Sequence, residues 1–181
     1  MSGLPSGKNA PLPLDEAQAR LLDSVTPLEP ETLPVSASRG RYLATDLLAE
    51  RTQPAADLSA MDGYAMLADD VAGPWRVVGE SAAGHPYRGT LAPGQAIRIS
   101  TGAHMPQGDC AMLLQENAAR DGDHLTLTSA DGPTQRHIRR TGFDFACGTP
   151  LLEAGSLMSP ARIALALSGG HGAASFGQLP R

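Results

Sequence analysis

Leu14, Ala17, Leu21, Leu22 and Val25 recur at steps of three, four, one and three. That spacing lays them along one stripe and predicts an amphipathic helix over residues 14–25, with Asp15 and Glu16 at its positive end and Pro27 as its stop. Leu33 to Val35, interrupted by Pro34, predicts an edge strand at most. Residues 39–50 combine a Gly40 break with Tyr42, Leu43, Leu47 and Leu48, a pattern that fits strand and helix equally. From about residue 50 to 146 the texture changes. Short apolar runs at 64–67, 75–80, 96–100, 111–115, 124–128 and 136–140 recur between Gly, Asp and Pro turns, as in a compact β-sandwich or barrel. The clearest alternation, His124 to Thr128, follows the turn signal Asp121-Gly122.

After Cys147 the helical texture returns. Leu151-Leu152 and a turn at 153–155 lead to Ser159-Pro160, an N-cap followed by proline at the first helical position. Ile163, Ala164 and Leu167 form the expected buried stripe of this helix, and Gly169 its left-handed cap. Residues 171–181 are too few for a further set of elements. Residues 1–13, rich in Gly and Pro and poor in apolar side chains, predict a disordered lead. The expected fold is therefore α+β and β-rich. A small discontinuous α/β linker domain, residues 14–49 plus 147–181, carries an inserted compact β-domain at 50–146.

Composition sharpens this picture. The 181 residues include 20 Gly and 15 Pro, about 19% of the chain against a usual total near 12%. Leu, Ile, Val and Phe also make up only about 19%, so the cores are thin and the chain is expected to lean on a neighbour. A net charge of −5 gives no general drive toward nucleic acid or an anionic membrane. No stretch approaches the ~18 apolar residues of a membrane span, and the first 13 residues hold no signal-like run. Cys110 and Cys147 lack CxxC or zinc spacing. A cytoplasmic protein is expected.

Three runs carry candidate chemistry. Asp57-Leu58-Ser59-Ala60-Met61-Asp62-Gly63-Tyr64-Ala65 reads either as an Asp-Gly hairpin turn or as a loop offering the Ser59 hydroxyl and Asp62 carboxylate to Mg²⁺. Ser100-Thr101-Gly102-Ala103-His104 is a turn at a strand end or an anion-binding bend. Arg136-His137-Ile138-Arg139-Arg140-Thr141-Gly142-Phe143-Asp144 is a solvated edge-strand charge cluster or an oxyanion grip. If the last run is a strand, Arg139 and Arg140 point to opposite faces. The five histidines form no HxH or HExxH pair. Ser168-Gly169-Gly170-His171-Gly172 follows a helix instead of opening one, which makes it a C-cap and not a phosphate cradle.

The runs Ser59-Ala60-Met61-Asp62-Gly63-Tyr64-Ala65, Ile97-Arg98-Ile99-Ser100-Thr101-Gly102-Ala103 and Ile138-Arg139-Arg140-Thr141-Gly142-Phe143-Asp144 resemble, in order and approximate spacing, motifs of the MoeA/gephyrin family of molybdopterin molybdotransferases. Val25-Thr26-Pro27-Leu28 is similar too, and the likeness runs from about residue 14 to 178. It implies a cytoplasmic enzyme of molybdenum cofactor biosynthesis. Such an enzyme takes adenylylated molybdopterin and molybdate as substrates, releases AMP with Mg²⁺, and works as a homodimer. The active site would lie between domain II of one subunit and the molybdopterin-binding domain III of the other, supplied in cis or in trans.

Carried onto this sequence, the resemblance implies Asp62, Thr101 and Asp144 as catalytic residues, and Asp62 as the Mg²⁺ ligand. Ser59, Gly63, Arg139 and Arg140 would contact substrate. Three positions depart from the family pattern: Phe143 stands where a Glu is usual, His104 where a Pro is, and Leu58 where an Asn is. The chain is expected to stop before domains III and IV, and alone to be incomplete for the full reaction. A non-catalytic dimerisation or interaction module derived from the same family is the competing expectation. The intact run from Ser59 to Ala65 favours the enzyme, and the Glu lost at Phe143 favours the module.

Overall fold

The computed structural model describes residues 12–26 and 28–178. The expected disordered lead falls outside the described residues except for Leu12 and Pro13, and the expected helix stop, Pro27, falls outside as well. The fold is β-rich, with two helices and a curled six-stranded sheet, as the apolar pattern predicted.

Strands β1 (Glu31–Pro34), β2 (Leu47–Leu48) and β3 (Leu58–Ser59) are short. They are followed by β4 (Gly63–Leu67), β5 (Trp75–Ser81), β6 (Gln95–Ile99), β7 (Cys110–Leu114), β8 (Ala118–Asp121) and β9 (His124–Leu127). These last six form one sheet in the order β7-β4-β6-β5-β9-β8, in which only the β5–β6 pair is parallel. Strand β4 sits between β6 and β7 and is covered on both faces, which is why it reads as an unbroken apolar run. Its Ala65 packs with Ile97, Ile99 and Met112 on one side. Tyr64 and Met66 pack with Trp75, Leu113 and Leu125 on the other. The Asp121-Gly122 turn, with Gly122 at φ +57°, joins β8 to β9 as the turn signal required, although β8 itself was not anticipated.

A third core is assembled from both ends of the chain. Val35, Leu43 and Leu47 meet Leu152, Met158, Ala166 and Phe176. Strand β11 (Pro150–Leu152) pairs with β2, and β12 (Ala173–Phe176) pairs with β1 in the register Glu31 opposite Phe176. The expectation that residues beyond 171 form no element is thus corrected: Ala173–Phe176 is a strand because β1 offers it an open edge. Arg41 reinforces this closure by donating to the Gly177 carbonyl and pairing with Glu31.

Helix α1 (Leu14–Asp23) ends two residues short of the expected boundary and buries none of its side chains. Leu14, Leu21 and Leu22 stand about 70% exposed, so the stripe is real and uncovered. Helix α2 (Pro160–Gly169) opens as predicted, with the Ser159 hydroxyl accepting from the Arg162 N–H. Its close differs. Gly170, at φ +113°, is the left-handed residue, while Gly169 lies inside the helix, where a Cβ would stand 2.2 Å from a Leu151 methyl. The packed face accordingly runs through Ile163, Ala166 and Gly169, leaving Ala164 and Leu167 outside. The 136–140 run contributes only β10 (Ile138–Arg139).

Candidate functional site around β3

The two residues of β3 hold the three motif-bearing segments together. On one edge, Ser59 pairs with Ile138 and Leu58 with Arg139, and Ala60 N–H donates to the His137 carbonyl at 2.8 Å. On the other, Ser59 N–H donates to Ala103 O at 2.9 Å, and Gly102 N–H donates to Ser59 O at 2.8 Å. The Ser59 side chain is buried, and its hydroxyl is used inside the protein, against the Met61 carbonyl and Met112 sulfur. It fixes the loop's shape and presents no free hydroxyl to a substrate.

Asp62 caps the neighbouring bend. Its Oδ1 accepts from Thr101 N–H at 2.7 Å and from the Thr101 hydroxyl at 2.9 Å, while Gly102 turns at φ +78°. No hydrogen bond within the described residues uses Oδ2, and the side chain is exposed. The two Thr101 hydrogen bonds, first the backbone and then the hydroxyl, hold the carboxyl below the usual range, with the Arg98 charge adding to them. Arg98 is itself anchored to the carbonyls of Gly63 and Ile99 and to Gln115.

Gly63 is essential for a reason other than a bend. It lies in β4 without a positive φ, and a Cβ there would stand 2.1 Å from the Leu113 carbonyl oxygen of β7. The close approach of two backbones, and not a hairpin conformation, excludes every other residue.

The third motif repeats the device. Asp57 Oδ1 accepts from Thr141 N–H at 2.8 Å and from its hydroxyl at 3.0 Å, and Gly142 turns at φ +76°. Oδ2 pairs with Arg140 at 2.6 Å. Partial burial pushes the Asp57 carboxyl up, but the Thr141 and Arg140 contacts outweigh it and leave a net lowering. Sequence reasoning missed Asp57 as a site residue. The signal was present: two Thr-Gly bends, and two aspartates in one loop to cap them.

Strand β10 ends at Arg139, and Arg139 and Arg140 take different partners. Arg139 binds both oxygens of Asp144, at 2.5 and 2.7 Å, and lies over the Phe143 ring at 5.5 Å. Both arginines are therefore paired with internal carboxylates, which lowers the net charge they can offer to an external oxyanion. Of the three expected catalytic residues, Asp62 and Thr101 are in contact. Asp144 hydrogen-bonds to neither of them and instead faces a separate cleft with Phe143 and Arg51.

Among the described residues, no group of three or more His, Cys, Asp or Glu could enclose a metal ion. The site nevertheless suits Mg²⁺ in one restricted sense. That ion commonly keeps several waters and binds through one or two carboxylates plus substrate phosphates, and Asp62 Oδ2 is a carboxylate oxygen with no partner among the described residues. Of the two thiols, Cys110 is buried and pushed up to about 11, chiefly by that burial and then by the Asp109 charge, and Cys147 is exposed. No described helix is long and apolar enough to cross a membrane.

Comparison with known proteins gives this fold a family. The family model described as the MoeA N-terminal region (domain I and II) matches residues 12–170, and the chain belongs to that family. It is 34% identical over 161 residues to the molybdopterin molybdenumtransferase of Haemophilus influenzae, covering 87% of this chain and 40% of that one. It is 34% identical over 175 residues to molybdopterin molybdenumtransferase 2 of Mycobacterium tuberculosis, covering 93% and 42%. The crystal structure of the molybdopterin biosynthesis moeA protein from Pyrococcus horikoshii OT3 superposes with a TM-score of 0.81 at 30% identity, over 92% of this chain and 46% of that one. The chain thus spans about two fifths of the length of the curated relatives and under half of the solved one.

Proposed function

We propose that this chain serves molybdenum cofactor biosynthesis as the domain I and II portion of a molybdopterin molybdenumtransferase. The observation that carries the reading is Asp62: one oxygen is locked by Thr101, and the other is open to solvent at the convergence of three motifs. A carboxylate held ionised in this way suits a divalent cation and repels bare phosphate or molybdate. When bound, Mg²⁺ supplies charge reversal and polarisation of a phosphoryl oxygen. Thr101, whose N–H and hydroxyl both point at Asp62, fixes the direction in which Oδ2 faces. The substrates are adenylylated molybdopterin and molybdate, with AMP released. A molybdopterin-binding domain III, in cis or in trans, completes the site.

The discontinuous linker domain and the inserted β-domain belong to the same proposal. The three hydrophobic clusters support it, since one draws on both chain ends and two lie wholly within residues 64–138. A cytoplasmic homodimer is part of it too, supported by the uncovered apolar stripe of α1. The competing reading, an interaction module without chemistry, draws on the neutralised pairs Arg139–Asp144 and Arg140–Asp57.

Combined with a matching domain III, the chain is expected to insert molybdate. Asp62→Asn should lower that rate by roughly tenfold or more and leave the far-UV spectrum unchanged. Unchanged turnover in Asp62→Asn would reject the metal-holding role and favour the module.

A further inference from the structure

Phe143 is a large aromatic side chain at the surface. It replaces the family's usual carboxylate, stands 71% exposed, and has one face covered by the Arg139 guanidinium at 5.5 Å from the ring centroid. Asp144 holds that guanidinium in place through both of its oxygens. The ring is therefore backed by a cation that a carboxylate holds in place.

The surroundings are those of a small-molecule cleft. A cavity of about 750 Å³ opens between the turn at residues 143–145 and helix α2. Phe143, Phe145 and Leu165 give it an apolar side, and Arg51, Asp144, Gln53 and Ser168 a polar one. Neither the Gln53 amide nor the Ser168 hydroxyl makes a side-chain hydrogen bond within the described residues, so both retain donors and acceptors to offer. An aromatic and aliphatic side facing unspent polar groups can both stack a ring and read its edge. An exposed ring backed by a cation suits a flat π-system, since stacking uses the whole ring face and cation and ring attract.

We propose that Phe143 is the stacking platform of a second binding cleft, which takes a flat hydrogen-bonding heteroaromatic ring, a nucleobase or a pterin. The ring lies on the Phe143 face opposite Arg139, and its edge meets Gln53 and Ser168. This deepens the functional reading above and rests on it only for the choice of probes. Binding is read on the 181-residue chain alone, without molybdate or turnover. A failure here leaves the Asp62 assay standing, and a failure there leaves this cleft standing.

The chain has only three phenylalanines, so ¹³C-phenylalanine labelling resolves Phe143 directly. AMP and pterin-6-carboxylate are titrated as the two ring-bearing probes, and ribose 5-phosphate as the probe without a ring. The expected result is a saturable upfield shift of the Phe143 ring signals with at least one ring-bearing probe and none with ribose 5-phosphate. Whichever ring-bearing probe binds more tightly identifies the class. Phe143→Leu should weaken that binding by about tenfold or more, and Phe143→Trp should retain it. Because the side chain is so exposed, neither variant threatens folding. Equal binding of ribose 5-phosphate, unchanged affinity in Phe143→Leu, or no Phe143 shift at millimolar probe would each overturn the proposal.

Discussion

Asp57 and Asp62 use one geometry for two tasks. Each accepts from the N–H and hydroxyl of a threonine that precedes a left-handed glycine, but Asp57 spends its second oxygen on Arg140 while Asp62 keeps its own free. Asp57 should accordingly matter for stability. Asp57→Ala is expected to cost about 1 kcal/mol in urea unfolding, discounted because the ion pair is partly solvated. The sign of the pH effect follows from its lowered pKa. The folded form holds the charged carboxylate more tightly, so the contribution is complete above the ordinary carboxylate range and disappears as pH falls through the folded value. Parent and variant should therefore converge in acid, and a constant gap down to pH 2 would refute this account. At this scale the sequence showed residue types better than partners. Asp62 and Thr101 stood out because each precedes a glycine, although only Gly102 is a turn and Gly63 lies in β4. Asp57 was not, because its partner lies 84 residues away.

Elements were legible where burial imposes a period. Every strand of the six-stranded sheet except β8 emerged as an apolar run, and Ser159-Pro160 marked the start of α2. The end of α2 was misplaced by one residue, since two consecutive glycines satisfy the same capping rule and only the approach of Leu151 separates their roles. β12 was invisible because Ala173–Phe176 has no pattern of its own and owes its form to β1. The opposite case is α1, whose pattern was plain and whose stripe nothing in the described fold covers. Its stripe makes a direct prediction. Leu21→Lys combined with Leu22→Lys should change unfolding stability by less than about 0.5 kcal/mol and lower the association state seen in sedimentation if the helix serves dimerisation. A large loss of stability with unaltered mass would contradict that role.

For the whole molecule, the consequential feature is the core shared by Val35, Leu43 and Leu47 with Leu152, Met158 and Phe176. Its halves are more than a hundred positions apart, whereas β4, β6 and β7 lie within about fifty of one another along the chain. Joining distant segments exacts a larger loop-closure entropy and slows assembly. During synthesis the residues around β4 have left the ribosome and can condense while Phe176 is still untranslated, so maturation runs from the middle outward. In pulse-labelled refolding, amides at Met66 and Met112 should gain protection before those at Val35 and Phe176, and simultaneous protection would refute that order.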